Sequence, residues 1–119
     1  VVGILPDVPA TTNLLDETTL SYLKETALLI NVGRGNLIDE EALCAALNEE
    51  KFAAAVIDVF KKEPLAESSP LWTALNLSVT CHTAAVSLPA SIAGLFIQNY
   101  QRYLAGDPLL NLVDFEKGY

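Results

Sequence analysis

Four short apolar runs, at residues 1–5, 27–32, 53–59 and 77–81, constrain this chain more than any other feature of its sequence. Ala27-Leu28-Leu29-Ile30-Asn31-Val32 shows no alternation of apolar and polar residues, the pattern of a strand covered on both faces, and 53–59 has the same character. Helical or irregular stretches separate the runs. Strand and helix alternating in this way predict an α/β fold: a parallel sheet with flanking helices, joined by right-handed crossovers.

The connections carry their own signals. Pro6-Asp7-Val8-Pro9 closes the first run, because proline removes donors. Asp16 predicts a cap for a helix over 17–25, with Leu20 and Leu23 facing inward. Gly33-Arg34-Gly35 breaks the second strand, and the glycines are expected to let the backbone turn sharply and leave the guanidinium free to project. Asp39 caps the next helix, where Leu43, Ala46 and Leu47 fall at helical spacing. Residues 60–76 read as irregular, with Pro64, Ser68-Ser69-Pro70 and the sole tryptophan, Trp72, expected to anchor this loop. Pro89 suits the first turn of a long helix running to about residue 104, and Gly106-Asp107-Pro108 stops it. That helix places Ile92, Leu95 and Phe96 on one stripe and Ala93, Ile97, Tyr100 and Leu104 on another. The surface is too wide for a helix meeting one sheet face, so it is expected to pack between two bodies.

Composition narrows the function. A chain of 119 residues, 51% hydrophobic and 18% charged, is one domain's worth of packed protein and is neither disordered nor fibrous. Seven Lys and Arg stand against fifteen Asp and Glu, a net charge of -8 that repels phosphate backbones and anionic lipid. Nucleic acid and membrane partners are therefore not expected. The stretch 52–60 contains Asp58 and is far too short to span a bilayer. Two cysteines, Cys44 and Cys81, and one histidine supply neither a disulfide framework nor a metal set, so both thiols are expected to pack and the setting to be cytoplasmic. The opening Val1-Val2-Gly3-Ile4-Leu5 has no initiator Met and no basic leader and reads as a buried strand, so the numbering is expected to begin inside a longer protein.

In an open parallel sheet the ligand crevice lies outside the carboxyl ends of the strands. Pro6, the segment Asn31 to Gly35, Asp58 and His82 occupy those four ends. Arg34 is either a solvated arginine in a turn or a planar fork for a carboxylate, a geometry lysine does not reproduce. His82 is the one side chain whose ordinary pKa suits proton exchange near neutrality. Glu63, nineteen positions earlier, could hold its far ring nitrogen and support the imidazolium, making a general acid and base. The alternative is a histidine satisfied by backbone groups, with Glu63 solvated. Asp58 is a cap for the following turn or a ligand contact.

Three segments in order carry a resemblance across nearly the whole chain. Leu23-Lys24 and Leu28-Leu29-Ile30-Asn31-Val32-Gly33-Arg34-Gly35-Asn36-Leu37-Ile38-Asp39, then Ile57-Asp58-Val59-Phe60 with Glu63-Pro64-Leu65, then His82-Thr83-Ala84-Ala85, are similar to the NAD(P)-dependent D-2-hydroxyacid dehydrogenases. The resemblance implies a Rossmann-like sheet: residues 1–86 would be the carboxyl-terminal half of an NAD(P)-binding domain, and 87–119 a helix and tail packing on a catalytic lobe. It implies that Arg34 binds the substrate carboxylate and polarises the keto group, that His82 gives the carbonyl its proton, and that Glu63 holds His82. Asp58 would contact the nicotinamide amide, Leu5 and Pro6 would lie against the adenosine side, and Val32, Gly33, Arg34, His82 and Ala84 would lie near the nicotinamide. No metal is implied.

The ending, Leu112-Val113-Asp114 to Gly118-Tyr119, resembles the glyoxylate and hydroxypyruvate reductase branch, which implies NAD or NADP, a small 2-oxo or 2-hydroxy acid and a homodimer. A phosphoglycerate or formate dehydrogenase and a non-catalytic dinucleotide-sensing corepressor are the alternatives. The absence of further basic residues beside Arg34 speaks against a phosphorylated substrate. The chain departs from the family pattern at Cys81, where many relatives have proline, and it lacks the glycine-rich dinucleotide loop. Alone, it is expected to bind cofactor poorly and to turn over little or nothing.

Overall fold

Each apolar run forms a strand, shorter than the run itself. The computed structural model describes residues 1–119, with strands β1 (Val2–Gly3), β2 (Leu28–Asn31), β3 (Ala54–Ile57) and β4 (Leu77–Val79). They form one four-stranded sheet in the order β1-β2-β3-β4, every pair parallel. The ladder runs one residue past the strand ends: the Val32 amide donates to the Gly3 carbonyl and the Thr80 amide to the Ile57 carbonyl, both at 3.0 Å.

Register aligns Gly3, Asn31, Ile57 and Val79 on one face and Val2, Ile30, Val56 and Ser78 on the other. Within residues 1–84 only the first of these faces is covered. Leu29, Ala55 and Ile57 join Leu20, Leu43, Leu47, Phe52 and Leu71 in the core, whereas Leu28 is 58% exposed. Within these residues the second face expected to be covered lies open. Strands added successively in one direction through connections of one hand place every connection on the same side of the sheet.

Helix α1 covers Glu17–Leu20, against the 17–25 expected. Asp16 does cap it, accepting the Thr19 amide at 2.9 Å. It ends after about one turn. The Thr19 hydroxyl donates to the Leu14 carbonyl at 2.8 Å, and the Tyr22 and Leu23 amides bond three residues back rather than four. Helix α2 (Glu40–Asn48) starts at Asp39 as expected, with Leu43, Ala46 and Leu47 buried.

Residues Ala85–Tyr119 form a second compact unit. Its helix α3 (Pro89–Ala105) begins at the predicted proline and ends at Gly106, whose φ of 75° lies in the left-handed region. The Asn99 side chain fixes the following tail, donating to the Leu110 carbonyl at 3.1 Å and accepting its amide at 2.7 Å. No residue of α3 is buried. No helix in the chain is long and apolar enough to cross a membrane.

Candidate active site

Two buried polar residues end the central strands, and each shapes the loop that follows it. Asn31, at the end of β2, is 0% exposed. Its Nδ2 donates to the Arg34 carbonyl at 3.0 Å and its Oδ1 accepts the Gly33 amide at 3.2 Å. Asp58, just past β3, is 1% exposed. Its Oδ1 accepts the Thr80 hydroxyl in a very short hydrogen bond and the Thr83 amide at 3.0 Å, while Oδ2 accepts the Ala84 amide at 2.9 Å. Burial pushes its carboxyl up, but these donors, helped by nearby His82, outweigh burial and hold it below its ordinary 3.8.

The glycines beside Arg34 serve close packing rather than a sharp turn. Neither Gly33 nor Gly35 has a positive φ. A Cβ on Gly33 would lie 2.8 Å from the Ile4 Cα, and one on Gly35 would lie 2.0 Å from the Phe60 carbonyl. The loop after β2 is thus wedged between those after β1 and β3, backbone against backbone. Arg34 is exposed, and its guanidinium is not wholly free: Nη1 donates to the Gly33 carbonyl at 2.8 Å. No carboxylate pairs with it.

His82 sits at a φ of 53°, its amide donating to the Asp58 carbonyl at 2.7 Å. Its Nδ1 lies 2.8 Å from Oε2 of Glu63, while Oε1 of Glu63 accepts the Phe60 amide at 3.0 Å. The bonds from His82 and then Phe60 hold the Glu63 carboxyl below its ordinary 4.5. Arg34, Glu63 and His82 line one open depression of about 320 Å³, together with Asp7, Asn36 and Lys61. On the other side of the Glu63–His82 pair lies a second hollow of about 490 Å³, walled by Phe60, Leu65, Trp72, Val79 and Cys81. Trp72 does anchor its loop, its indole donating to the Ala66 carbonyl at 2.8 Å.

The structure brings further expected residues to this edge. Leu5 is exposed, Pro6 and Val32 are half-buried, Gly33 abuts Ile4 and Leu5, and Ala84 is exposed on the loop gathered by Asp58. The Asp58 carboxylate itself faces inward with both oxygens engaged, so it organises residues 80–84 rather than presenting a free acceptor. Cys44 is buried, and burial followed by Glu40 and Glu41 pushes its thiol up. Cys81 is exposed, correcting the expectation that it packs.

Sequence reasoning passed over the side-chain work of Asn31 and Thr80 and the place of Lys61. The signal for Asn31 was a lone amide closing an otherwise apolar strand. Lys61 lines the depression beside Arg34, although its Nζ leans toward Asp39 at 3.9 Å. A second basic residue thus does lie beside Arg34, where none was expected.

Residues 1–84 match the model for the D-isomer specific 2-hydroxyacid dehydrogenase, NAD binding domain. The glyoxylate/hydroxypyruvate reductase A of Klebsiella pneumoniae subsp. pneumoniae is 35% identical over 118 residues, covering 99% of this chain and 38% of the relative. That of Yersinia enterocolitica is 37% identical with the same coverage. The D-isomer specific 2-hydroxyacid dehydrogenase of Xanthobacter autotrophicus Py2, solved with NADPH and MES, superposes with a TM-score of 0.94 at 43% identity over 99% of this chain and 49% of that one. An NADPH-dependent glyoxylate/hydroxypyruvate reductase of Sinorhizobium meliloti, solved with NADP and sulfate, gives 0.92 at 31% identity over 99% and 39%. The chain thus spans about 38% of the length of its curated relatives.

Proposed function

This chain belongs to the D-isomer specific 2-hydroxyacid dehydrogenase family through its NAD-binding domain, and from that premise we propose that it carries the acid–base and carboxylate-binding groups of a reductase acting on a small 2-oxo acid such as glyoxylate or hydroxypyruvate. The observation that carries this reading is the meeting of Arg34 with the 2.8 Å Glu63–His82 pair on one depression at the strand ends.

The residues fit a dinucleotide. The loops after β1 and β2 meet with no room for a Cβ at Gly33, which sets its backbone against Ile4 and Leu5, next to Pro6 and Val32. Ala84 and His82 face the same edge, and Asp58 fixes the loop that carries them. NAD or NADP, when bound there in reduced form, supplies a hydride to the carbonyl carbon of the substrate. Arg34 holds the substrate carboxylate through parallel hydrogen bonds and draws electron density from the adjacent keto group. His82 donates the proton on Nε2 to the carbonyl oxygen as it becomes an alkoxide, giving a D-2-hydroxy acid. Glu63, bonded to Nδ1, orients the ring and supports the imidazolium before that transfer.

Residues 1–86 belong to the cofactor-binding domain in this reading, and 87–119 pack on the substrate lobe of a cytoplasmic homodimer. The exposed apolar stripes of α3 support that arrangement, and sedimentation of the full chain, a protein of its relatives' length that contains these residues, tests it. The activity is tested in that same full chain by steady-state reduction of glyoxylate and hydroxypyruvate with NADH and NADPH. His82→Gln should cut kcat by about 100-fold or more while leaving cofactor affinity nearly unchanged; unaltered turnover would overturn the assignment.

A further inference from the structure

We propose that Asn31 is a positioning residue for the substrate carboxylate, acting through Arg34; the inference rests on the reductase reading above. A fully buried amide at a core position of β2 carries a desolvation cost that a leucine or valine there would avoid. What it does in return is local and specific. Its two hydrogen bonds go to the Gly33 amide and the Arg34 carbonyl, the peptide groups on either side of the Gly33-Arg34 unit. With both ends held, Arg34 keeps its extended backbone (φ -137°, ψ 149°) and its Cα becomes a fixed root for the guanidinium.

The side chain then draws on that same segment, donating from Nη1 to the Gly33 carbonyl. One buried amide thus sets where the cation starts and which carbonyl it rests against. Asn31 makes no side-chain hydrogen bond to Glu63 or His82, whose loop is organised by Asp58. Loss of the amide should therefore weaken the hold on the carboxylate far more than it slows reduction, kcat falling only as far as Arg34 loses its draw on the keto group. The expected signature is a rise in KM that exceeds the fall in kcat.

Asn31→Asp keeps the volume and the acceptor for the Gly33 amide but cannot donate to the Arg34 carbonyl. Asn31→Ser keeps a small polar group, which serves if the acidic variant does not fold. In the full chain, either should raise KM for the 2-oxo acid about tenfold to fiftyfold, with kcat and the cofactor KM within about threefold. The decisive measurement is a double-mutant cycle with Arg34→Lys. If Asn31 works through the guanidinium, Asn31→Ser should add little to the KM of the lysine variant. Undiminished additivity, or a loss of kcat and cofactor affinity in step with the melting temperature, would overturn the proposal. Wild-type kinetics in both variants would overturn it while leaving the reductase reading intact. Failure of the unsubstituted full chain to reduce any 2-oxo acid would overturn the reading and the proposal together.

Discussion

Asp58 donates its backbone amide to the carbonyl of Asn31 at 3.0 Å, so the two buried polar residues that close adjacent strands are joined by a ladder hydrogen bond. Their side chains then diverge: Asn31 reaches forward to Gly33 and Arg34, and Asp58 reaches across to Thr80, Thr83 and Ala84. The cation and the imidazole thus hang from neighbouring rungs of one sheet. Parallel pairing makes this possible, because it brings all the carboxyl ends to one edge.

Replacing Asp58 by Asn should be costly for a residue that touches no solvent. The amide nitrogen must then face at least one of the donors on Thr80, Thr83 or Ala84, leaving a buried donor without an acceptor, at about 2–4 kcal/mol. The native carboxyl is depressed below its ordinary 3.8. Its stabilising contribution is therefore complete above that value and is lost as pH falls through the lower, folded one. Denaturant midpoints of the two proteins should differ most near neutrality and converge below about pH 4. A gap that stays constant into strong acid would contradict this.

Glu63→Gln removes the charge and leaves one oxygen to serve both the histidine ring and the Phe60 amide. Because the native carboxyl lies below its ordinary 4.5, it is ionised across the neutral range, and the loss should be felt at every pH above about 5. Reduction in the full chain should slow by about 10- to 100-fold across that range. A rate that stays at the native level from about pH 5 upward would show that the carboxylate does not support the acid.

The 60–76 loop walls the larger hollow, and Trp72 ties it to Ala66. Trp72 is 50% exposed, so Trp72→Phe should cost only about 1 kcal/mol while making the loop easier to cleave. Limited proteolysis reads this directly; cleavage in 60–76 at the native rate would count against the anchor.

The strands were legible because an uninterrupted apolar run such as Ala27 to Ile30 has few other uses, and the pairing of Glu63 with His82 followed from placing both on one parallel edge. Helix α1 was overestimated because its winding tightens after Leu20, where the Tyr22 and Leu23 amides bond three residues back, a change that apolar spacing does not register. The open second face of β2 was not legible within these residues because residue type reports what a strand can tolerate and not which side the crossovers take. Asn31 stayed hidden for a related reason. A polar residue closing a strand looks the same in sequence whether it meets water or a backbone three residues away.

Gly35 offers the sharpest contrast between two readings of a glycine. A need for conformational freedom would be met by any residue comfortable at its negative φ, yet an alanine Cβ would lie 2.0 Å from the Phe60 carbonyl. Relief requires moving either the loop that carries Arg34 or the one that leads to Glu63. Gly35→Ala should therefore destabilise the chain by about 3 kcal/mol or more, and any folded fraction should have lost the register between cation and imidazole. Gly94 supplies the internal control. It lies mid-helix in α3 with nothing within 4 Å of a Cβ, so Gly94→Ala should stabilise the chain by about 0.5–1 kcal/mol. Denaturant midpoints that shift alike for the two variants would mean that close packing is not what holds glycine beside Arg34.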